Sequence, residues 1–85
     1  MDDYQDYLNQ VFDILSNYFD EDELNTLCFK LGIDFNKFQG NGVEAKVREL
    51  LKYLDRHQRL LETVKQGKQE RPTIDWPLLP RLATK

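Results

Sequence analysis

Glycine and proline are both missing from residues 1–31. Nothing in that stretch asks for a positive φ or removes a backbone donor, so it is free to be helix. No apolar run approaches the roughly 18 residues that a membrane-spanning helix needs. The N-terminus reads Met1-Asp2-Asp3-Tyr4, acidic and polar, the reverse of a secretory signal. Cys28 is the single cysteine; it excludes an internal disulfide and makes a reducing cytoplasm the expected location. No segment alternates polar and apolar residues as a half-buried strand does, and no internal repeat or low-complexity tract is present. The net charge of −3 draws the chain neither to nucleic acid nor to an anionic membrane. The 85 residues are enough for one domain and one core, and folding would bury about 60–65% of the unfolded surface. A deep catalytic cleft would consume core that such a chain cannot lose.

What is present is helical periodicity. The spacing predicts a first helix from Asp3 to Asn17, with Tyr4, Leu8, Val11, Phe12 and Leu15 on one face. Asp20 with Glu23 three residues on is an acidic capping box, and the carboxylates of that first turn suit the positive end of a helix dipole. The second helix carries Leu24, Leu27, Cys28 and Leu31 inward and stops at Gly32. Asp34 caps a short third helix that turns Phe35 and Phe38 to the core. Gln39-Gly40-Asn41-Gly42 is a loop. A fourth helix spans Val43 to Arg56 and buries Val47, Leu50, Leu51 and Leu54. A fifth, from Arg59 to Gln66, buries Leu60, Leu61 and Val64, and Gly67 ends it. Arg71-Pro72-Thr73-Ile74-Asp75-Trp76-Pro77 gives a last short turn anchored by Ile74 and Trp76. Pro77 and Pro80 flank Leu78-Leu79 and argue against further helix. The expectation is one all-α domain over residues 1–76, a compact antiparallel bundle of five to six short helices, with 77–85 as tail or linker.

No residue set carries catalysis, a cofactor or a metal. Cys28 sits among leucines on an apolar face, where a thiol is an inert small hydrophobe. His57 follows Arg56 in a polar turn, and one cysteine with one histidine falls short of a closed zinc site. Asp20, Glu21, Asp22 and Glu23 lack the spacing and central glycine of a calcium loop. Gly40-Asn41-Gly42 lacks the strand before it and the Lys-Ser or Lys-Thr after it that a phosphate loop requires. Tyr7, Tyr18 and Tyr53 have no clear place; core packing is the first reading and an interface contact the second.

Charge is divided unevenly. Residues 1–38 hold nine acidic and two basic groups, net −7; residues 39–85 hold six and ten, net +4. On the fourth helix Arg48, Lys52 and Arg56 recur every four residues, away from the apolar stripe, and Arg59 extends the line. The plain reading is a solvated face with local pairs, such as Glu44 with Arg48 and Asp55 with Arg59. The sharper reading is a two-ended domain, in which one copy's acidic corner (Asp20, Glu21, Asp22, Glu23) meets another's basic stripe (Arg48, Lys52, Arg56, Arg59), an arrangement suited to head-to-tail association.

Several segments carry a resemblance. The run from Tyr18 through Leu24, Leu27, Cys28 and Gly32 to Phe35 resembles the second-helix signature of the bacterial effector-associated domains. So do the glycine loop followed by Ala45-Lys46-Val47-Arg48-Glu49-Leu50-Leu51-Lys52-Tyr53-Leu54, the pair Arg59-Leu60, and Arg71-Pro72-Thr73-Ile74-Asp75-Trp76. Together they cover roughly residues 4–76. These domains are similar to the death-fold superfamily of six-helix adaptors, above all its death-effector-like branch. The charged triad of animal death-effector domains, with its Arg-x-Asp-Leu motif, is absent, so that branch's interface does not carry over. The resemblance implies a non-enzymatic cytoplasmic adaptor that docks with a like domain. It would recruit or cluster an attached effector, such as a peptidase, TIR-like or nucleotide-hydrolase domain, in conflict or antiphage signalling. The alternative is a small helical domain that binds nucleic acid through the basic stripe.

Overall fold

The structure is a computed structural model and describes residues 3–77. Helix α1 runs Asp3–Tyr18, α2 Glu21–Lys30, α3 Val43–Arg56 and α4 Leu60–Glu70, and a single 3-10 turn at Phe35–Lys37 lies between α2 and α3. No strand occurs among the described residues. Among the described residues the expected five to six helices are therefore corrected to four and a 3-10 turn. Between the Gly32 stop and the glycine loop there is room for one turn only, and the segment after Glu70 makes a turn at Pro72–Thr73 and is irregular from Asp75 to Pro77, the two prolines lacking the backbone donor that a helix would use. The expected tail from Pro77 onward lies, beyond that residue, outside the described residues. Among the described residues no helix is long and apolar enough to cross a membrane.

Local chemistry sets the boundaries. The Asp20 carboxylate accepts from the Glu23 N–H at 2.8 Å and the Glu23 carboxylate accepts from the Asp20 N–H at 2.9 Å, a complete capping box at the start of α2. At its end Gly32 adopts φ +75°, and the N–H groups of Gly32 and Ile33 donate to the carbonyls of Phe29 and Cys28 at 3.0 and 2.8 Å. Those two bonds make a Schellman motif. The end of α3 repeats it without a glycine: Gln58 takes φ +57°, its N–H donates to Asp55 and that of Arg59 to Leu54. Asp34 caps the 3-10 turn by accepting from the Asn36 N–H at 3.0 Å.

One hydrophobic cluster joins all the elements. α1 packs chiefly on α3, while α4 packs on both α3 and α2, and the 3-10 turn packs against α2. Leu24, Leu27, Cys28 and Leu31 face inward, as do Val47, Leu50, Leu51 and Leu54 and the rings of Phe35 and Phe38. Two faces differ from the sequence reading. On α1 the buried residues are Tyr7, Val11, Ile14 and Leu15, while Tyr4, Leu8 and Phe12 are only half-buried. The helix is rotated so that Leu8 and Phe12 fall at the edge of its contact with α3. On α4 the buried stripe is Leu60, Thr63, Val64 and Gly67, and Leu61 is 45% exposed. Leu61 lies one position off the i, i+3, i+4, i+7 set that Leu60 begins. Gly67 does not end α4 but lies within it, because its missing side chain makes space for the indole of Trp76.

Trp76 closes the far side of the core. Its ring meets Phe19 edge to face with centroids 6.2 Å apart, and its indole N–H donates to the Arg71 carbonyl at 3.1 Å. Ile74 packs beside it, half-buried.

Candidate interaction surface

The acidic corner is the N-terminus of α2 and its cap. Its four carboxylates have different work. Asp20 is the cap and Glu23 the reciprocal member of the box. Glu23 also pairs with Arg71, whose guanidinium lies 5.1 Å from the Phe19 ring centroid. The Asp20 N–H, and then Arg71, hold the Glu23 carboxyl below its ordinary range. Glu21 reaches Lys46 of α3 at 3.1 Å. Asp22 is exposed and has no ion-pair partner among the described residues.

The basic stripe divides in the same way. Arg48, Lys52 and Arg56 all stand exposed on the outer face of α3. Lys52 approaches Glu49 at 3.5 Å, and neither Arg48 nor Arg56 is ion-paired among the described residues. Arg59 departs from the line. It is the half-buried N-cap residue of α4, and its guanidinium donates to the Leu31 carbonyl at 2.6 Å and to Glu62 at 3.0 Å. Arg59 thus tethers the end of α2 to the start of α4, and the bond from Arg59 holds the Glu62 carboxyl low. The local pairs read from the sequence do not form among the described residues: Arg59 takes Glu62, and Asp55 accepts from the Tyr4 hydroxyl across the α1–α3 contact.

Arg48 and Lys52 flank a groove of about 400 Å³ between α1 and α3, floored by Leu8, Phe12 and Leu51 and closed by Asp55. The half-exposed apolar edge of α1 therefore lies beside the exposed cations Arg48 and Lys52. Sequence reasoning missed Phe29, which stands 82% exposed on α2 beside the 3-10 turn. Its signal was there: Phe29 falls off the stripe made by Leu24, Leu27, Cys28 and Leu31, and an aromatic ring off the apolar face of a helix has no core to enter.

The three unplaced tyrosines separate. Tyr7 is core, Tyr53 is half-buried under the Lys37 ammonium at 4.2 Å from its ring centroid, and Tyr18 is 56% exposed. His57 stands exposed at the end of α3 with its ring 4.3 Å from that of Tyr53. Burial pushes the Cys28 thiol up to about 11, which leaves it protonated near neutrality. No three His, Cys, Asp or Glu side chains converge as a metal cage among the described residues.

The chain has no significant match among curated proteins or among solved structures. Residues 8–72, from the half-buried face of α1 to the first turn of the closing segment, match the family model described as effector-associated domain 7. The match takes in the capping box, the glycine loop, the cationic face of α3 and the whole of α4, so that the chain is a member of the effector-associated domain 7 family.

Proposed function

We propose that this domain is a non-enzymatic adaptor that docks through like-domain contacts and so recruits or clusters a bacterial effector. The observation that carries the reading is the pair of uncompensated patches. Asp22 on one side, and Arg48 and Arg56 on another, stand exposed without ion partners among the described residues. Charges without an ion partner within a chain are available to a partner, and opposite patches on one body favour head-to-tail docking. Glu21, Asp20 and Lys52 add to those patches. Glu23 and Arg59 contribute charge while also holding the fold. Phe29 and the Leu8–Phe12 edge supply the apolar area that charge alone does not. Family membership supports the effector association. The effector would be a peptidase, TIR-like or nucleotide-hydrolase domain, fused or recruited, and docking would act by raising its local concentration. The cytoplasmic location and the death-fold likeness belong to the same reading. The likeness is supported by the compact all-helical core, with four helices in place of six.

The test is charge reversal with a cognate domain in sedimentation or pull-down. Arg48→Glu with Lys52→Glu, and separately Glu21→Lys with Asp22→Lys, should each abolish pairing while circular dichroism stays unchanged. Combining the two should restore part of the affinity if the patches face each other. Undiminished pairing in both reversed variants would remove the electrostatic mechanism. Tight duplex-DNA binding with a steep salt slope would favour the nucleic-acid reading instead.

A further inference from the structure

Asn41 stands apart from the other asparagines of the chain. Asn9, Asn17, Asn25 and Asn36 lie within α1, α2 or the 3-10 turn, and each is followed by a residue that carries a side chain. The N–H after each of them belongs to a helical ladder or to the turn; that of Lys37 donates to the Asp34 carbonyl at 3.2 Å. Asn41 is exposed in the loop before α3, and Gly42 comes next. Among the described residues neither the Asn41 side chain nor the Gly42 N–H takes part in a hydrogen bond. A Cβ built on Gly42 would meet nothing within 4 Å, so the space around that backbone nitrogen is open.

We propose that Asn41-Gly42 is a modification site, open to deamidation in the folded domain, and that its isoaspartyl product loosens the junction between the glycine loop and α3. Asparagine is a chemically labile residue, and a following glycine offers no side chain to crowd the approach of its nitrogen. The Gly42 nitrogen bonds to the Asn41 side-chain carbonyl carbon. The bond from that carbon to the amide nitrogen breaks, and ammonia leaves with the proton that Gly42 gives up. Water then opens the succinimide. Addition at the side-chain carbonyl leaves an ordinary backbone with aspartate at 41. Addition at the main-chain carbonyl routes the backbone through the side-chain methylene, which is isoaspartate. Either way a water is consumed, an ammonia is released and a carboxylate is gained.

The two products act differently on α3. The N-cap of that helix is Gly42, which makes no side-chain cap, so an aspartate at 41 places a negative charge near the positive end of the helix, where it is favourable. Isoaspartate instead lengthens the main chain where the loop is held at both ends. A Cβ built on Gly40 would lie 2.6 Å from the Ala45 Cβ, so the loop backbone rests on the first turn of α3, and the Lys46 N–H donates to the Gly42 carbonyl at 3.3 Å. An added main-chain atom between those contacts breaks one of them. None of this depends on how the domain docks.

The test incubates the whole chain at pH 8, folded and, in parallel, unfolded in guanidinium. Peptide mapping by mass spectrometry reads the amide-to-acid mass gain at each asparagine. Protein L-isoaspartyl O-methyltransferase with labelled S-adenosylmethionine counts isoaspartate. In the folded chain Asn41 should convert before any other asparagine, with ammonia released in step, and Asn41→Gln should lose both signals. Asn41 that persists in the folded chain while the unfolded chain converts overturns the inference, as does conversion undiminished in Asn41→Gln. The isoaspartyl form, separated by anion exchange, should melt below both the wild type and Asn41→Asp, and Asn41→Asp should melt no lower than the wild type. An isoaspartyl form that melts together with Asn41→Asp overturns the claim on the loop junction.

Discussion

Gly67 and Trp76 are fitted to each other: a Cβ built on Gly67 would lie 2.5 Å from the indole Cη2. In an exposed helix interior, glycine to alanine gains about 1 kcal/mol from propensity. Here the sign should reverse. Gly67→Ala is expected to destabilise by about 1–3 kcal/mol, the cost of overpacking a filled site. Urea titration of Gly67→Ala alone and with Trp76→Val gives the check, since the alanine should cost less where the indole has been removed.

Gln58 is the other backbone position at odds with its residue type. It takes φ +57° where the matching position after α2 is Gly32. A non-glycine residue in that region costs about 1–2 kcal/mol. Gln58→Gly should therefore stabilise, by somewhat less than that because glycine is also freer in the unfolded chain. A fall in melting temperature would contradict the assignment.

The inward leucines and the outward one should separate cleanly. Leu27→Ala and Leu50→Ala remove side chains that are 1% and 0% exposed, and each should cost about 2–5 kcal/mol. Leu61→Ala should stay within about 0.5 kcal/mol of the wild type, as surface changes do. Denaturant midpoints of the three variants, measured together, decide it.

Phe29→Ser should leave stability nearly unchanged and weaken pairing with a cognate domain about tenfold or more, as loss of an aromatic anchor does. A variant that melted early but paired normally would assign Phe29 to folding instead.

Alkaline pH should loosen the fold. Burial raises the Cys28 thiol from 9.0 to about 11, and burial together with the Asp55 bond raises the Tyr4 hydroxyl from 10.0 to about 12. Both groups give up protons more readily when unfolded, so between those values the unfolded chain binds fewer protons and stability falls as pH rises. Melting temperature should decline from pH 9 upward, and Cys28→Ala should flatten the first part of that decline. The Cys28 thiol should also react with a disulfide reagent far more slowly than free cysteine at pH 8.

Much of the fold was legible because local signals and periodicity agree. Asp20 with Glu23 announced the cap of α2, Gly32 its end, and Val47, Leu50, Leu51 and Leu54 the buried face of α3. The misreadings came where a partner distant in sequence overrides local preference. Gly67 reads as a helix stop, since nothing near it announces the indole nine positions on; Leu61 reads as core because it is a leucine. The charge division of the surface was visible in the sequence. Its distribution among tasks was not: Arg59 and Glu23 are engaged by a carbonyl and an arginine brought close only by folding.

The principal neighbour of α1 is α3, with α2 and the glycine loop intervening in sequence. During synthesis the first helix emerges with Val11, Ile14 and Leu15 uncovered, and they stay so until Arg56 has cleared the ribosome. A nascent segment that shows apolar surface for that long is prone to aggregate. The same stretch carries the net charge of −7, and like charges on neighbouring nascent chains repel. The nine carboxylates of that stretch, four of them at the cap and first turn of α2, thus help to keep the unfinished half apart from its copies.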